Sequence, residues 1–181
     1  MTKTSRILFL FNHDAAHQAA HIASLAAEVA NRDQAEVIVA YGTDAIRQTV
    51  ESLLPAGAAQ RMTWTELSLP PLTDAVLAPL NKLAPVRRLK RLDQHLDLFA
   101  SVDLIVSPER TCLRVKRKLG ARAPKFIFVP HGAGDRSVTY HPEMAQFDYM
   151  LVSGQKVVDE MQAHGIISPE RCDVIGYPKF D

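Results

Sequence analysis

Apolar residues in this chain come in short continuous runs, separated by stretches with helical spacing. Residues 6–12 (RILFLFN) are almost unbroken and aromatic, the pattern of a strand buried on both faces. In the next segment Ile22, Leu25, Ala26 and Val29 recur at i, i+3, i+4 and i+7, so they share one helix face. Residues 35–42 predict a second strand, ended by glycine. Residues 43–54 predict a helix that Thr43 or Asp44 can cap. Residues 61–67 alternate, and predict a shorter third strand. Pro70, Pro71, Pro79 and Pro85 then interrupt any regular pattern. From Val86 a helical stripe resumes through Leu89, Leu92 or Asp93, Leu96 and Phe99. Four more strands are expected at 102–107, 125–130, 147–153 and 172–178. A short basic helix follows the first of these. Another helix follows the third and ends at Gly165, where a C-terminal cap belongs.

This alternation predicts an α/β fold. The expected core is a Rossmann-like parallel sheet of six to seven strands with helices on both faces. A chain of 181 residues predicts one domain, 1–181. Ligands of such sheets bind beyond the carboxyl ends of the strands. Those ends read Asn12-His13, Gly42-Thr43, Ser107-Pro108-Glu109-Arg110, His131-Gly132 and Ser153-Gly154.

Charge changes the picture where composition does not. The net charge is +1, yet between Lys82 and Lys125 twelve basic residues stand against four acids. Arg87, Arg88, Lys90 and Arg91 lie beside or opposite the apolar stripe of their helix. A solvated face is one reading of them. Peripheral contact with an anionic membrane surface, or with an acidic acceptor, is the other. No nucleic-acid-binding module is present, so nucleic acid is not an expected partner. Cys112 and Cys172 form no CxxC pair, which argues against a disulfide framework or a zinc site and for a cytoplasmic protein. The apolar run at 7–11 is too short to span a membrane and lacks a cleavage pattern behind it.

His13, His17 and His21 stand at i, i+4 and i+8, a spacing that permits metal binding. His17 and His21 fall opposite the apolar stripe of their helix, so they are expected to face water, and no metal is expected. His13 belongs to the strand-end loop with Asn12, and both are candidates to contact a ligand. The loop contains neither GxGxxG nor a P-loop lysine, so no nucleotide cofactor of the familiar cradle type is expected. The segment 126–136 (FIFVPHGAGDR) is more pointed. Pro130 suits the last position of a strand. Gly132 and Gly134 allow backbone N–H groups to face an anion, and Arg136 can pair with a phosphate or carboxylate. Histidine titrates near neutrality, the range for a base that takes a hydroxyl proton, and His131 is the candidate.

The order His131-Gly132, then Ser153-Gly154 before a helix, then Gly176-Tyr177-Pro178-Lys179-Phe180-Asp181 resembles a known group. It looks like the N-terminal domain of GT-B glycosyltransferases, nearest the CDP-glycerol glycerophosphotransferases of teichoic-acid synthesis and the capsule polysaccharide transferases. The resemblance covers mainly residues 126–181. It implies that His131 is the catalytic base and that the donor is nucleotide-activated. It implies a hydroxyl acceptor, free or lipid-linked, and a second C-terminal domain that holds the donor; a place at the inner face of the membrane is an expectation from the basic residues 87, 88, 90 and 91. Gly132, Gly134, Arg136, Ser153 and Gly154 become substrate-binding candidates beside Asn12 and His13. Ala133-Gly134-Asp135-Arg136 departs from the family, which tends to continue with Thr-Pro and lysines. It is similar instead to the Glu-Ala-Gly loop of the UDP-N-acetylglucosamine 2-epimerases. An epimerase-like enzyme is therefore one alternative expectation, and a non-catalytic Rossmann-like binding module is another.

Overall fold

A computed structural model describes residues 4–13, 16–82, 84–130 and 140–180. Seven strands form one sheet: β1 (Ser5–Phe11), β2 (Ala35–Tyr41), β3 (Met62–Glu66), β4 (Leu104–Ser107), β5 (Lys125–Phe128), β6 (Tyr149–Val152) and β7 (Cys172–Val174). Their order is β3-β2-β1-β4-β5-β6-β7, and every neighbouring pair is parallel. The chain winds outward in one direction from β1 and in the other from β4. The gap between those two strands is the topological switch point, where the strand-end rule places ligands.

Successive side chains of a strand point to opposite faces, which is why the runs are continuous. Phe9, Phe11, Val37 and Val39 go to one layer; Leu8, Leu10, Ile38 and Ala40 go to the other. The first layer is covered by α1 (Ala20–Asn31) and α2 (Asp44–Leu53). Ala23, Ala26, Ala27 and Ala30 let α1 approach the sheet closely. The second layer is covered by α4 (Val86–Gln94), α5 (Leu96–Ala100), α6 (Leu113–Leu119) and α7 (Gln155–Ala163), which follow α3 (Pro71–Leu77) in the chain. Leu92, Phe99, Leu113 and Met161 are fully buried there, each side chain contributing about 1.5–3 kcal/mol by transfer from water.

The helix ends follow local chemistry. Thr43 Oγ1 accepts from the N–H of Ile46 at the start of α2. After α7, Gly165 takes φ +65°. The N–H of Gly165 bonds Gln162 O and that of Ile166 bonds Met161 O, both at 2.9 Å, the double bond pattern that favours glycine here.

Three expectations need correction. The prolines of the 68–85 stretch do not exclude helix, because Pro71 opens α3, where its absent N–H is harmless. The stripe beginning at Val86 is two helices, not one. His95 leaves the helical region (φ −111°, ψ 27°), and its ring Nδ1 lies 2.9 Å from Arg91 O, the carbonyl that the residue 95 backbone N–H bonds in a continuing α-helix. His21 does not face water but is 5% exposed. The turn Pro178–Phe180 returns to α1, where Ser24 Oγ donates to Pro178 O at 2.9 Å. That return covers the side of α1 that sheet packing alone leaves open.

An ion cluster ties α4 to α6. Arg114 Nε and Nη2 reach the two Asp93 oxygens at 2.6 and 2.7 Å, and Lys118 Nζ adds a contact at 2.9 Å. The hydrogen bond from Arg114, aided by Lys118 and opposed by burial, pulls Asp93 down to about 2. A carboxyl depressed by folding stabilises the protein above its unfolded value near ~4, and that contribution fades as pH falls toward 2. Asp93→Asn is therefore expected to lower unfolding free energy by about 1–2 kcal/mol at pH 6. Most of the difference should be gone at pH 2. Urea titrations of both proteins across that range measure it; a pH-independent gap would refute the assignment.

Candidate functional site at the strand ends

The carboxyl edge of the sheet gathers polar residues from several strands. Asn12 and His13 follow β1, Gly42 and Thr43 follow β2, Ser107 ends β4, and Ser153-Gly154 follow β6. The ladder between β4 and β5 runs one residue further than the strand, since Val129 N–H bonds Ser107 O at 3.1 Å.

Helix α4 lies across the switch point. Arg88 Nε donates to Asn12 O at 2.8 Å, and Asn12 Nδ2 returns a bond to Arg88 O at 3.0 Å. The Arg88 guanidinium also pairs with the Glu109 carboxylate, just past β4. A single side chain thereby joins the ends of β1 and β4, the two strands that flank the gap. Both partners are largely withdrawn from solvent, at 14% and 12% side-chain exposure. Glu109 is held in turn by Thr111 Oγ1 at 3.1 Å. Its backbone is held by Ser107, whose Oγ accepts from Glu109 N–H at 3.2 Å.

Arg91 enters one turn later and is 6% exposed. Its guanidinium packs over Gly42. A Cβ on residue 42 would sit 2.9 Å from Arg91 Nη1 and 3.2 Å from Asn12 Oδ1, so any larger residue there displaces the Arg91 guanidinium. Arg87 pairs with Asp74 of α3. Of the four basic residues expected to form an outward patch, only Lys90 is exposed. Arg88 turns inward because the strand ends offer a carbonyl and a carboxylate. Arg87, Arg88, Lys90 and Arg91 together do not make a membrane-facing or acceptor-facing surface.

Asn12 and His13 stand at the edge the sequence predicts, but they are 3% and 1% exposed. His13 packs edge-on against Phe11, with ring centroids 6.2 Å apart. Asn12 forms the buried floor beneath α4. Ser153 and Gly154 are half-buried at the start of α7. Among the described residues a Cβ on Gly154 would meet nothing within 4 Å. His131, Gly132, Gly134 and Arg136 lie outside the described residues. The same holds for the side chain of His17. Among the described residues no three His, Cys, Asp or Glu side chains converge as metal ligands.

Sequence reasoning missed Arg88 and Glu109 as partners and Gly42 as a contact position. Their signal was faint: one strand-end acid within a strongly basic stretch. Cys112, nearby, is fully buried, and burial pushes its thiol up to about 12, which makes it a poor nucleophile. A cavity of about 650 Å³ opens at the opposite edge of the sheet, lined by Lys116, Ile127, Asp148, Tyr149 and Arg171 among others. Its charges serve the fold: Lys116 Nζ bonds Gln146 O at 2.6 Å and Asp148 at 2.7 Å.

No protein-family model matches the sequence, and no curated protein does. Solved structures do match. A UDP-N-acetylglucosamine 2-epimerase superposes with a TM-score of 0.63 at 12% identity, over 98% of this chain and 47% of that one. The Neisseria meningitidis UDP-GlcNAc 2-epimerase bound to UDP-GlcNAc gives 0.62 at 13%, over 96% and 47%. Arabidopsis thaliana UGT89C1 complexed with UDP-L-rhamnose gives 0.55 at 15%, over 97% and 52%. The chain spans about half the length of each of these proteins. At such identities the likeness is one of fold. The chain folds as a Rossmann-like domain of the GT-B type.

Proposed function

We propose that this chain is the acceptor-side domain of an enzyme acting on nucleotide-activated donors. It serves transfer of a sugar or glycerol phosphate to a hydroxyl in envelope polysaccharide synthesis. The observation that carries the reading is the built carboxyl edge at the switch point. Arg88 locks β1 to β4 there, and the β5 ladder runs through Val129, two residues before His131. His131 takes the proton from the acceptor hydroxyl. The hydroxyl oxygen bonds to the donor's sugar carbon or phosphorus, and the nucleotide leaves with the electron pair of the broken bond. Gly132, Gly134 and Arg136 hold phosphate or an anionic acceptor, with Ser153-Gly154 beside them. Asn12 acts from below, by fixing α4. The neighbours bound to UDP-GlcNAc and UDP-L-rhamnose support a nucleotide-sugar ligand.

The epimerase reading stands beside this one, since the epimerases superpose with the higher TM-scores, 0.62 and 0.63 against 0.55. One assay separates the two. The natural polypeptide carrying this sequence is given UDP-GlcNAc, another UDP-sugar or CDP-glycerol, with and without a hydroxyl acceptor. Release of UDP or CMP that requires the acceptor is the expected result. A new nucleotide sugar formed without acceptor selects the epimerase. No turnover of any donor leaves the non-catalytic module and overturns both enzymatic readings.

A further inference from the structure

The basic excess of the sequence does not surface on α4, but it does around α6. Residues 110–125 hold seven bases, no acid and no aromatic side chain. Leu113, Val115 and Leu119 are buried, so the bases take the remaining faces of the helix. Arg110, Arg114, Arg117, Lys118 and Lys125 keep 38–75% of their side-chain surface in solvent. Arg122 is exposed as well. Three carboxylates among the described residues reach these bases, and each is shared between two. Asp93 takes Arg114 and Lys118. Glu143 takes Arg117 at 3.3 Å and Arg110 at 3.5 Å. Asp148 takes Lys116 at 2.7 Å and Lys125 at 3.4 Å. Seven bases against three carboxylates leave four positive charges in excess, and counting the exposed Asp97 of the adjoining α5 still leaves three. Asp103 is turned elsewhere, accepting from the Arg6 N–H at 2.9 Å.

This excess has a direction. Arg110 follows Glu109 at the carboxyl end of β4, and Lys125 opens β5 at its amino end. The connection between them therefore leads away from the strand-end site, rising about 15 Å over residues 110–119. Its chemistry narrows the partner. None of the large apolar side chains exposed among the described residues lies on it, and no described helix is long and apolar enough to cross a membrane, so it offers a bilayer no anchor. Without aromatic side chains it offers bases no stacking platform. Cations that already share one carboxylate in pairs suit anions repeated along a flexible chain, and the guanidinium fork matches phosphate oxygens.

We propose that the outer face of α6 binds a flexible chain of phosphate groups, held by Arg114, Arg117, Lys118 and Arg122 and led to the strand-end edge at Arg110. That the bound chain is the acceptor rests on the transferase reading above; the binding itself does not, and is tested without turnover.

The test is calorimetric titration of the full chain with inorganic polyphosphate at low and physiological salt, with duplex DNA and phosphatidylglycerol vesicles as comparison ligands. Binding to polyphosphate is expected, weakening as salt rises. The triple variant R110Q/R117Q/R122Q should weaken it by about tenfold or more. Glu143→Gln should strengthen it by a few-fold, because it removes the carboxylate that competes for Arg110 and Arg117. Arg61→Gln, beside the edge strand β3, is the control and should stay within about twofold of wild type. Exposed ion pairs contribute little to stability, so circular dichroism of the variants should match wild type. Absence of polyphosphate binding overturns the proposal, as does undiminished binding of the triple variant. Tighter binding per phosphate to duplex DNA or to the vesicles also overturns it, by giving the face to nucleic acid or to membrane. The two readings fail separately. Polyphosphate binding without any nucleotide release keeps this surface and removes the transferase; acceptor-dependent release without polyphosphate binding does the reverse.

Discussion

Arg88→Ala is expected to lower unfolding free energy by about 3–5 kcal/mol, the range for breaking a buried ion pair from one side. The change leaves Glu109 largely buried without its guanidinium partner, and the Thr111 hydroxyl at 3.1 Å is a weak substitute for a full charge. It also removes the bond from Arg88 Nε to Asn12 O, and leaves the bond from Asn12 Nδ2 to the residue 88 carbonyl. Lysine does not rescue the site. One ammonium cannot match the planar fork that serves a carbonyl and a carboxylate together, so Arg88→Lys should retain part of the stability only. The pair R88M/E109Q should recover much of what Arg88→Ala loses, since no buried charge is then stranded. Urea denaturation gives the energies, and hydrogen exchange of the α4 amides shows whether the loss is local. A loss below about 1 kcal/mol would place the pair among exposed salt bridges and sink the argument.

The fold was legible because the strands bury both faces. Continuous apolar runs at 6–12 and 35–42 need no alternation to be read as strands when each side chain, inward or outward, meets a helix layer. The capping positions Thr43 and Gly165 were legible for an equally local reason. The roof of the site was not. Arg88 and Asn12 are 76 residues apart, and Arg88 and Glu109 are 21 apart. A helical pattern treats arginine as a polar residue that belongs outside. It carries no information about a carbonyl and a carboxylate waiting at two strand ends. For the same reason the strand-end rule found Asn12 and His13 but could not tell a ligand contact from a buried floor; that depends on where α4 lies. The His95 break was hidden because the apolar stripe continues through it. His21 was misjudged because the turn that covers α1 comes from the far end of the chain.

His131→Ala in the natural polypeptide is expected to reduce transfer by about 10²–10⁴-fold, the usual contribution of a positioned general base. The effect should appear in kcat with KM nearly unchanged, because the proton is taken in the transition state and not on binding. A base must be neutral to accept a proton, so wild-type turnover should rise with pH through the titration of the histidine. In the alanine variant that acid limb should vanish, and His131→Gln, which keeps volume and hydrogen bonding, should behave like alanine. These readouts separate chemistry from packing. The carboxyl edge is already locked by Arg88, Asn12 and Glu109. A merely structural histidine at 131 would instead lower thermal stability, spare the shape of the pH profile and be rescued by glutamine. Undiminished transfer by His131→Ala would remove the base from the mechanism while leaving the fold-level reading in place. The nucleotide-release assay would then have to find its proton acceptor elsewhere along the same strand ends.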